Sequence, residues 1–173
     1  MSSEQADWQA IVRSIARRLD HDDFPAAHLA QLRRLDPVRR DGAAFWLLVN
    51  RFAETALDDD RAERALAVTV HGMAIAHPFH RSPERRPLGT AMAEAEISEA
   101  RLLRLLRTGK DQLPEEVRRL ARLMASKGDA GRFDWHEVFL LAFYPDDDWP
   151  RRGIAKAYYR RQYNLQNPKG EAA

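Results

Sequence analysis

Ile97-Ser-Glu-Ala-Arg-Leu-Leu-Arg-Leu-Leu-Arg107 is the most informative stretch of the chain. At about 100° per residue, Leu102, Leu103, Leu105 and Leu106 gather on one side of a helix. Arg101, Arg104 and Arg107 fall on the other side without overlap. The sequence therefore predicts a helix over 97–108, with Leu103 and Leu106 facing a core and the arginines facing out. The next stretch, 114–127, repeats the arrangement, with Val117, Leu120, Leu123 and Met124 opposite Arg118, Arg119 and Arg122. Farther on, helices are predicted over 134–144 and 150–163. In the second of these Arg152, Lys156 and Arg160 form an i, i+4, i+8 stripe.

The same spacing runs backwards through the chain. Trp8, Ile11, Val12, Ile15 and Leu19 share one helix face behind Asp7, an N-cap candidate. A short helix with Leu29 and Leu32 follows Pro25, and Phe45, Leu48, Val49 and Phe52 define a third. From Arg61 to His77 the residues are apolar almost all round, the mark of a helix central in its bundle. Residues 78–89 hold three prolines, a glycine and several charges and are predicted as a long loop. Pro114 and Asp134 are candidate helix starts; Gly109, Gly128 and Gly131 are candidate stops. The expected fold is all-α: a bundle of eight or nine helices in two small lobes, 1–88 and 89–173, without a sheet.

With 173 residues and 45% hydrophobic content the chain can bury a core, which argues against disorder. It has no cysteine, which excludes disulfides, thiol nucleophiles and cysteine zinc sites. Apolar runs are short and broken by charge, and Met1–Ala10 carries Glu4 and Asp7 where a signal peptide would be basic and then apolar. The expectation is a cytoplasmic protein without a membrane partner.

Net charge is only +2, yet 24 of the 28 basic residues are arginine. The first hundred residues balance at −3 and the remaining 73 at +5. Guanidinium presents a planar fork of donors that matches phosphate oxygens. Three of the four helices of the second half carry a basic ridge with few acidic residues interleaved, and no glycine-rich loop accompanies them. That combination suggests contact with a nucleic-acid backbone rather than nucleotide binding. Each ridge taken singly also suits an ordinary solvated helix face. Two further pairs, Arg33–Arg34 and Arg39–Arg40, bracket Pro37. Arg61 opens a helix, where the dipole disfavours a cation, and Asp58–Asp60 are its local pairing candidates. Tyr158, Tyr159 and Tyr163, beside Arg160 and Arg161, suit either base stacking or bundle packing.

With those ridges in place the chain resembles the CasB family, the small subunit of the type I-E CRISPR surveillance complex Cascade. The resemblance rests mainly on 97–161. There the Ile97–Arg107 stretch is followed by Val-Arg-Arg-Leu-Ala-Arg-Leu (117–123), by Phe-Asp-Trp (133–135) and by a helix ending in Tyr-Tyr. Leu-Arg-Arg (32–34), Ala-Phe-Trp-Leu-Leu-Val (44–49) and Pro-Leu-Gly (87–89) before a small helix are weaker echoes. The long His77–Pro87 loop and the short, basic-poor tail after Tyr163 depart from the family. The resemblance implies a non-catalytic, all-helical protein present in two copies beside the backbone and large subunits. It would line the guide RNA–target DNA heteroduplex and help hold the displaced strand, stabilising the R-loop. The positions matching the family's basic sites are Arg33 or Arg34, Arg61, Arg107, Arg118, Arg119 and the Arg151–Arg152 pair. The ridges add Arg101, Arg104 and Arg122.

Two other readings compete. A metal-dependent nuclease or phosphohydrolase would draw on His71, His77 and His80 with Asp58–Asp60. No HxxxH or HxxE pair supports it; His71 reads as a satisfied core or interface residue, and His77 as a cation favoured at a helix C-terminus. His21, His28 and His136 are isolated, and Asp146–Asp148 read as turn and N-cap residues. A sequence-specific helix-turn-helix regulator would need base-reading Asn, Gln or Ser on a recognition helix, and the ridges lack them. Neither a P-loop nor a serine nucleophile elbow is present, and no cofactor or metal is expected.

Overall fold

Asp7 opens α1 (Trp8–Asp20) by accepting the Ala10 amide, 3.0 Å away. The computed structural model describes residues 7–168, so the rest of the Met1–Ala10 expectation and the end of the tail lie outside it. The described chain continues through α2 (Ala26–Arg33), α3 (Ala43–Phe52), α4 (Asp60–Ala76), α5 (Leu88–Glu94) and α6 (Glu99–Arg107). After these come α7 (Leu113–Ala125), α8 (His136–Phe143) and α9 (Trp149–Gln166), with single 3₁₀ turns at Glu54–Ala56 and Gly128–Gly131. Among the described residues there is no strand, only one isolated bridge between Arg81 and Phe133. No described helix is long and apolar enough to cross a membrane.

The helix expected to be central is central. Asp59 caps α4, accepting from the amides of Arg61 and Ala62, and the helix then buries Ala65 to Ala74 without a break. It packs on α2 and α1 with one side and on α7 and α8 with another, so elements from both halves of the chain share it. Small residues allow this. A Cβ at Gly72 would lie 2.5 Å from the Trp135 ring. Where α5 crosses α9, a Cβ at Gly89 would lie 2.1 Å from the Ile154 carbonyl oxygen.

Three local expectations change. The wheel for 97–107 is correct, but its apolar arc is centred on Leu102 and Leu105, which are 0% and 2% exposed. Leu106 only packs against the core, and Leu103, at the margin of the arc, lines an open groove. The helix expected from 134 begins at His136, because Asp134 accepts the His136 amide and gives its other oxygen to Arg13, 2.7 Å away. The loop expected over 78–89 ends at Pro87, where α5 starts; in the sequence, the small helix after Pro-Leu-Gly shows only through the family resemblance.

The loop itself is pinned. Arg132 donates to the carbonyls of Pro78 and Arg81 (3.1 Å each), Trp135 Nε1 to that of His80 (2.6 Å), and the Asp134 amide to that of Arg86 (2.9 Å). Arg86 in turn bonds Glu94 and the carbonyls of Ala130 and Arg132.

These placements separate two leucines one residue apart. Leu102→Ala should cost about 2–5 kcal/mol, whereas Leu103→Ala should cost under about 1 kcal/mol. Urea denaturation of both variants checks the assignment.

Candidate nucleic-acid interface

Ser98 caps α6 by accepting the Arg101 amide, which sets the phase of the helix and sends Arg101, Arg104 and Arg107 outward. α7, with Pro114 in its first turn, lies against it. Between them runs an open groove lined by Leu103, Arg104, Arg107 and Arg119. Its basic side chains are not all free. Glu116, only 6% exposed, accepts from Arg104 Nε at 2.9 Å and from Arg119 at 3.4 Å, tying the two helices together. Glu115 pairs with Arg118 at 3.1 Å and with Arg119 at 3.6 Å. The ridge of α7 is therefore more neutralised than the sequence suggested, through carboxylates one turn earlier on the same helix.

Arg118 also leaves the groove. Its Nε donates to His71 Nε2 at 3.3 Å, while His71 Nδ1–H donates to the Leu32 carbonyl at 2.9 Å. Arg118 and Arg122 both act on His71 electrostatically, and His71 bonds the Leu32 carbonyl of α2, so they belong to the α2–α4–α7 junction.

Three of the expected contacts brace the fold. Arg33 donates to the carbonyls of Ala74 (2.9 Å) and His77 (3.5 Å), closing the C-terminus of α4. Arg61 does not pair with Asp58–Asp60. Its Nε donates to the Phe143 carbonyl at 2.5 Å, and its guanidinium lies over the rings of Phe143 and Tyr144, 4.2 and 4.8 Å from their centroids. Arg151 donates to the carbonyls of Leu106, Thr108, Pro145 and Asp147, binding α9 to the end of α6.

The remainder are exposed. Arg34, Arg101, Arg107, Arg122 and Arg152 make no side-chain ion pair or hydrogen bond among the described residues, and Lys156 and Arg160 continue the exposed stripe of α9. The tyrosines divide: Tyr158 is buried and donates to the Ile97 carbonyl at 2.7 Å, Tyr159 donates to Glu99 at 2.6 Å, and Tyr163 is 66% exposed.

A family model described as CRISPR-associated protein Cse2 matches residues 28–159, well over half of the chain. The chain belongs to the Cse2 family. No curated protein sequence matches it. Its fold is similar to that of a chain in a crystal structure of E. coli Cascade bound to a PAM-containing dsDNA target. The TM-score is 0.68, with 22% identity over 88% of this chain and 96% of that one.

In this Cse2-family chain the histidines of the competing metal reading have protein partners. Both His71 ring nitrogens are used, as above. His80 is fully buried and its Nε2–H donates to the Ala16 carbonyl at 2.9 Å. His77 stacks on His80, with centroids 5.4 Å apart. It is not the cation expected at the end of α4: burial and the neighbouring Arg33, which occupies that position, push its pKa down. Among the described residues no three potential ligands come together.

Burial drives the His80 pKa down to about 4 against the hydrogen bond to the Ala16 carbonyl and the charge of Asp20, with His77 and Arg132 acting in the same direction as burial. Burial lowers His71 and His136 as well. The unfolded chain therefore binds protons that the folded chain refuses, and stability should be lost as pH falls from about 6.5 towards about 4. Glu137, raised by burial, opposes this in part. His80 alone should remove about 2 kcal/mol between pH 7 and pH 5. Chemical denaturation at the two pH values measures the loss, and the His80 ring resonances should still report a neutral imidazole at pH 5.

Proposed function

We propose that this chain is the non-catalytic small subunit of a type I-E Cascade and holds nucleic acid by its backbone. Its partners would be the backbone and large subunits, a second copy of itself, the guide RNA, the target DNA and the displaced strand. Membership of the Cse2 family supports this, as does the likeness in fold to a chain of a Cascade bound to target DNA. The observation that carries it furthest is the set of exposed guanidiniums without a partner among the described residues: Arg34, Arg101, Arg107, Arg122 and Arg152.

Guanidiniums presented along helix faces suit phosphates, which position a strand without carrying its sequence. Arg104, Arg118 and Arg119 contribute at the groove and the α2–α4–α7 junction while held by their carboxylates. Arg33, Arg61 and Arg151 act by positioning the helices. In an assembled complex, guide pairing would supply sequence specificity, and this surface would supply counter-charge that stabilises the R-loop and the displaced strand.

Replacing Arg101, Arg107 and Arg122 together by Gln should weaken single-stranded binding equally across unrelated oligonucleotides. The log–log salt slope should flatten by about 0.7 for each phosphate that the variant no longer neutralises. Arg39→Gln, at an arginine 77% exposed and paired with Asp36, is the control and should have little effect. Sequence-selective weakening, or an unchanged salt slope in the triple variant, would contradict the proposal.

A further inference from the structure

A second concentration of arginine lies away from α6, α7 and α9. Arg13 and Arg17, one turn apart on the polar face of α1, meet Arg81 and Arg85 of the 78–87 loop around one pocket. Buried Phe133 and Trp135, each 1% exposed, contribute its wall, and Ser82 adds a hydroxyl. Asp134 and Glu84 are the lining carboxylates and Asp20 pairs with Arg81, so four guanidiniums against three carboxylates leave an excess of one positive charge. Asp134 is engaged by Arg13 at 2.7 Å, and Arg81 is paired with Asp20 at 3.0 Å. Arg17 has only a long contact to Ser14 at 3.4 Å, and Arg85 has no side-chain partner among the described residues.

We infer that this pocket binds a phosphate group. Guanidinium forks match phosphate oxygens in charge and in geometry, and a serine hydroxyl can donate a further bond. A wall of buried aromatic side chains leaves no ring free to stack on a base, so the site recognises the anion and not the nucleoside. The loop that carries Arg81, Ser82 and Arg85 is already held by Arg132, Trp135, Asp134 and Arg86, as described above. Ordering it on binding therefore costs little, which favours affinity for a small ligand. The site shares no residue with the proposed strand surface, and the inference does not rest on that surface being correct.

The occupant carries phosphate either within a strand or at a strand end, and the two are separable. Calorimetric titration of the full chain would use inorganic phosphate, unphosphorylated hexathymidylate and 5′-phosphorylated hexathymidylate. The variant is Arg17→Gln with Arg85→Gln, two side chains without carboxylate partners, its fold checked by thermal melting. Kd for at least one probe should rise about tenfold or more in this variant. The Arg101/Arg107/Arg122 variant should leave inorganic phosphate binding unchanged. Competition between inorganic phosphate and the unphosphorylated oligomer would identify an internal phosphodiester as the occupant. Tighter binding of the 5′-phosphorylated oligomer, abolished in the Arg17/Arg85 variant, would identify a terminal phosphate. All three probes binding the Arg17/Arg85 variant within threefold of the parent chain would overturn the inference. Failure of the strand surface would show separately, as an unchanged salt slope in the Arg101/Arg107/Arg122 variant.

Discussion

The seating of Trp135 against Gly72 is the contact on which the arrangement depends. The glycine lets the indole approach α4 where any Cβ would collide with it, and the indole Nε1–H fastens the His80 carbonyl at 2.6 Å. One side chain thereby joins the central helix, the 78–87 loop and the entry to α8. Phe133 lies against the same ring, 4.5 Å between centroids, and bridges to Arg81. A proline-rich segment that would otherwise wander becomes a fixed wall. Because α7 packs on the same α4, the position of the basic helices follows from the same packing.

Arginine does two jobs in this chain, and context decides which. Arg33, Arg61, Arg86 and Arg151 fold back onto the protein and satisfy carbonyls that the ends of helices or turns leave open. A guanidinium with five donors can bridge several such groups at once, as Arg151 does with four. Other arginines keep their donors facing water. The folded-back set holds the helices in register so that the outward set forms a surface of defined shape. Arginine thus also builds the scaffold that presents the proposed binding surface.

Helix periodicity makes most of the fold legible. α1, α6 and α7 each show the helical period, α4 shows as a long run apolar almost all round, and Asp7, Pro114 and the glycines mark starts and stops. α5 escapes that reading because Leu-Gly-Thr-Ala-Met-Ala-Glu is short and mostly buried, so it shows no polar face against which to see a stripe. Periodicity assigns Leu103 to the core because a wheel gives an arc and not its centre, which depends on where α7 and α9 lie. The candidate site is legible as a composition and as ridges on helices. Its partition is not, because the deciding partners are distant in sequence: Arg61 finds a carbonyl 82 residues away and Arg33 one 41 residues away. The α1 pocket is invisible for the same reason, since Arg13 and Arg17 read alone are the solvated face of an amphipathic helix.

The central claim is that exposed, unpartnered guanidiniums carry the strand. Arginine-selective chemical modification with and without saturating single-stranded DNA, read residue by residue by mass spectrometry, tests it most directly. Bound strand should protect Arg101, Arg107, Arg122 and Arg152, while Arg39 is modified equally in both states. Equal modification of those four with and without strand, or protection confined to Arg39 and its surroundings, would contradict it.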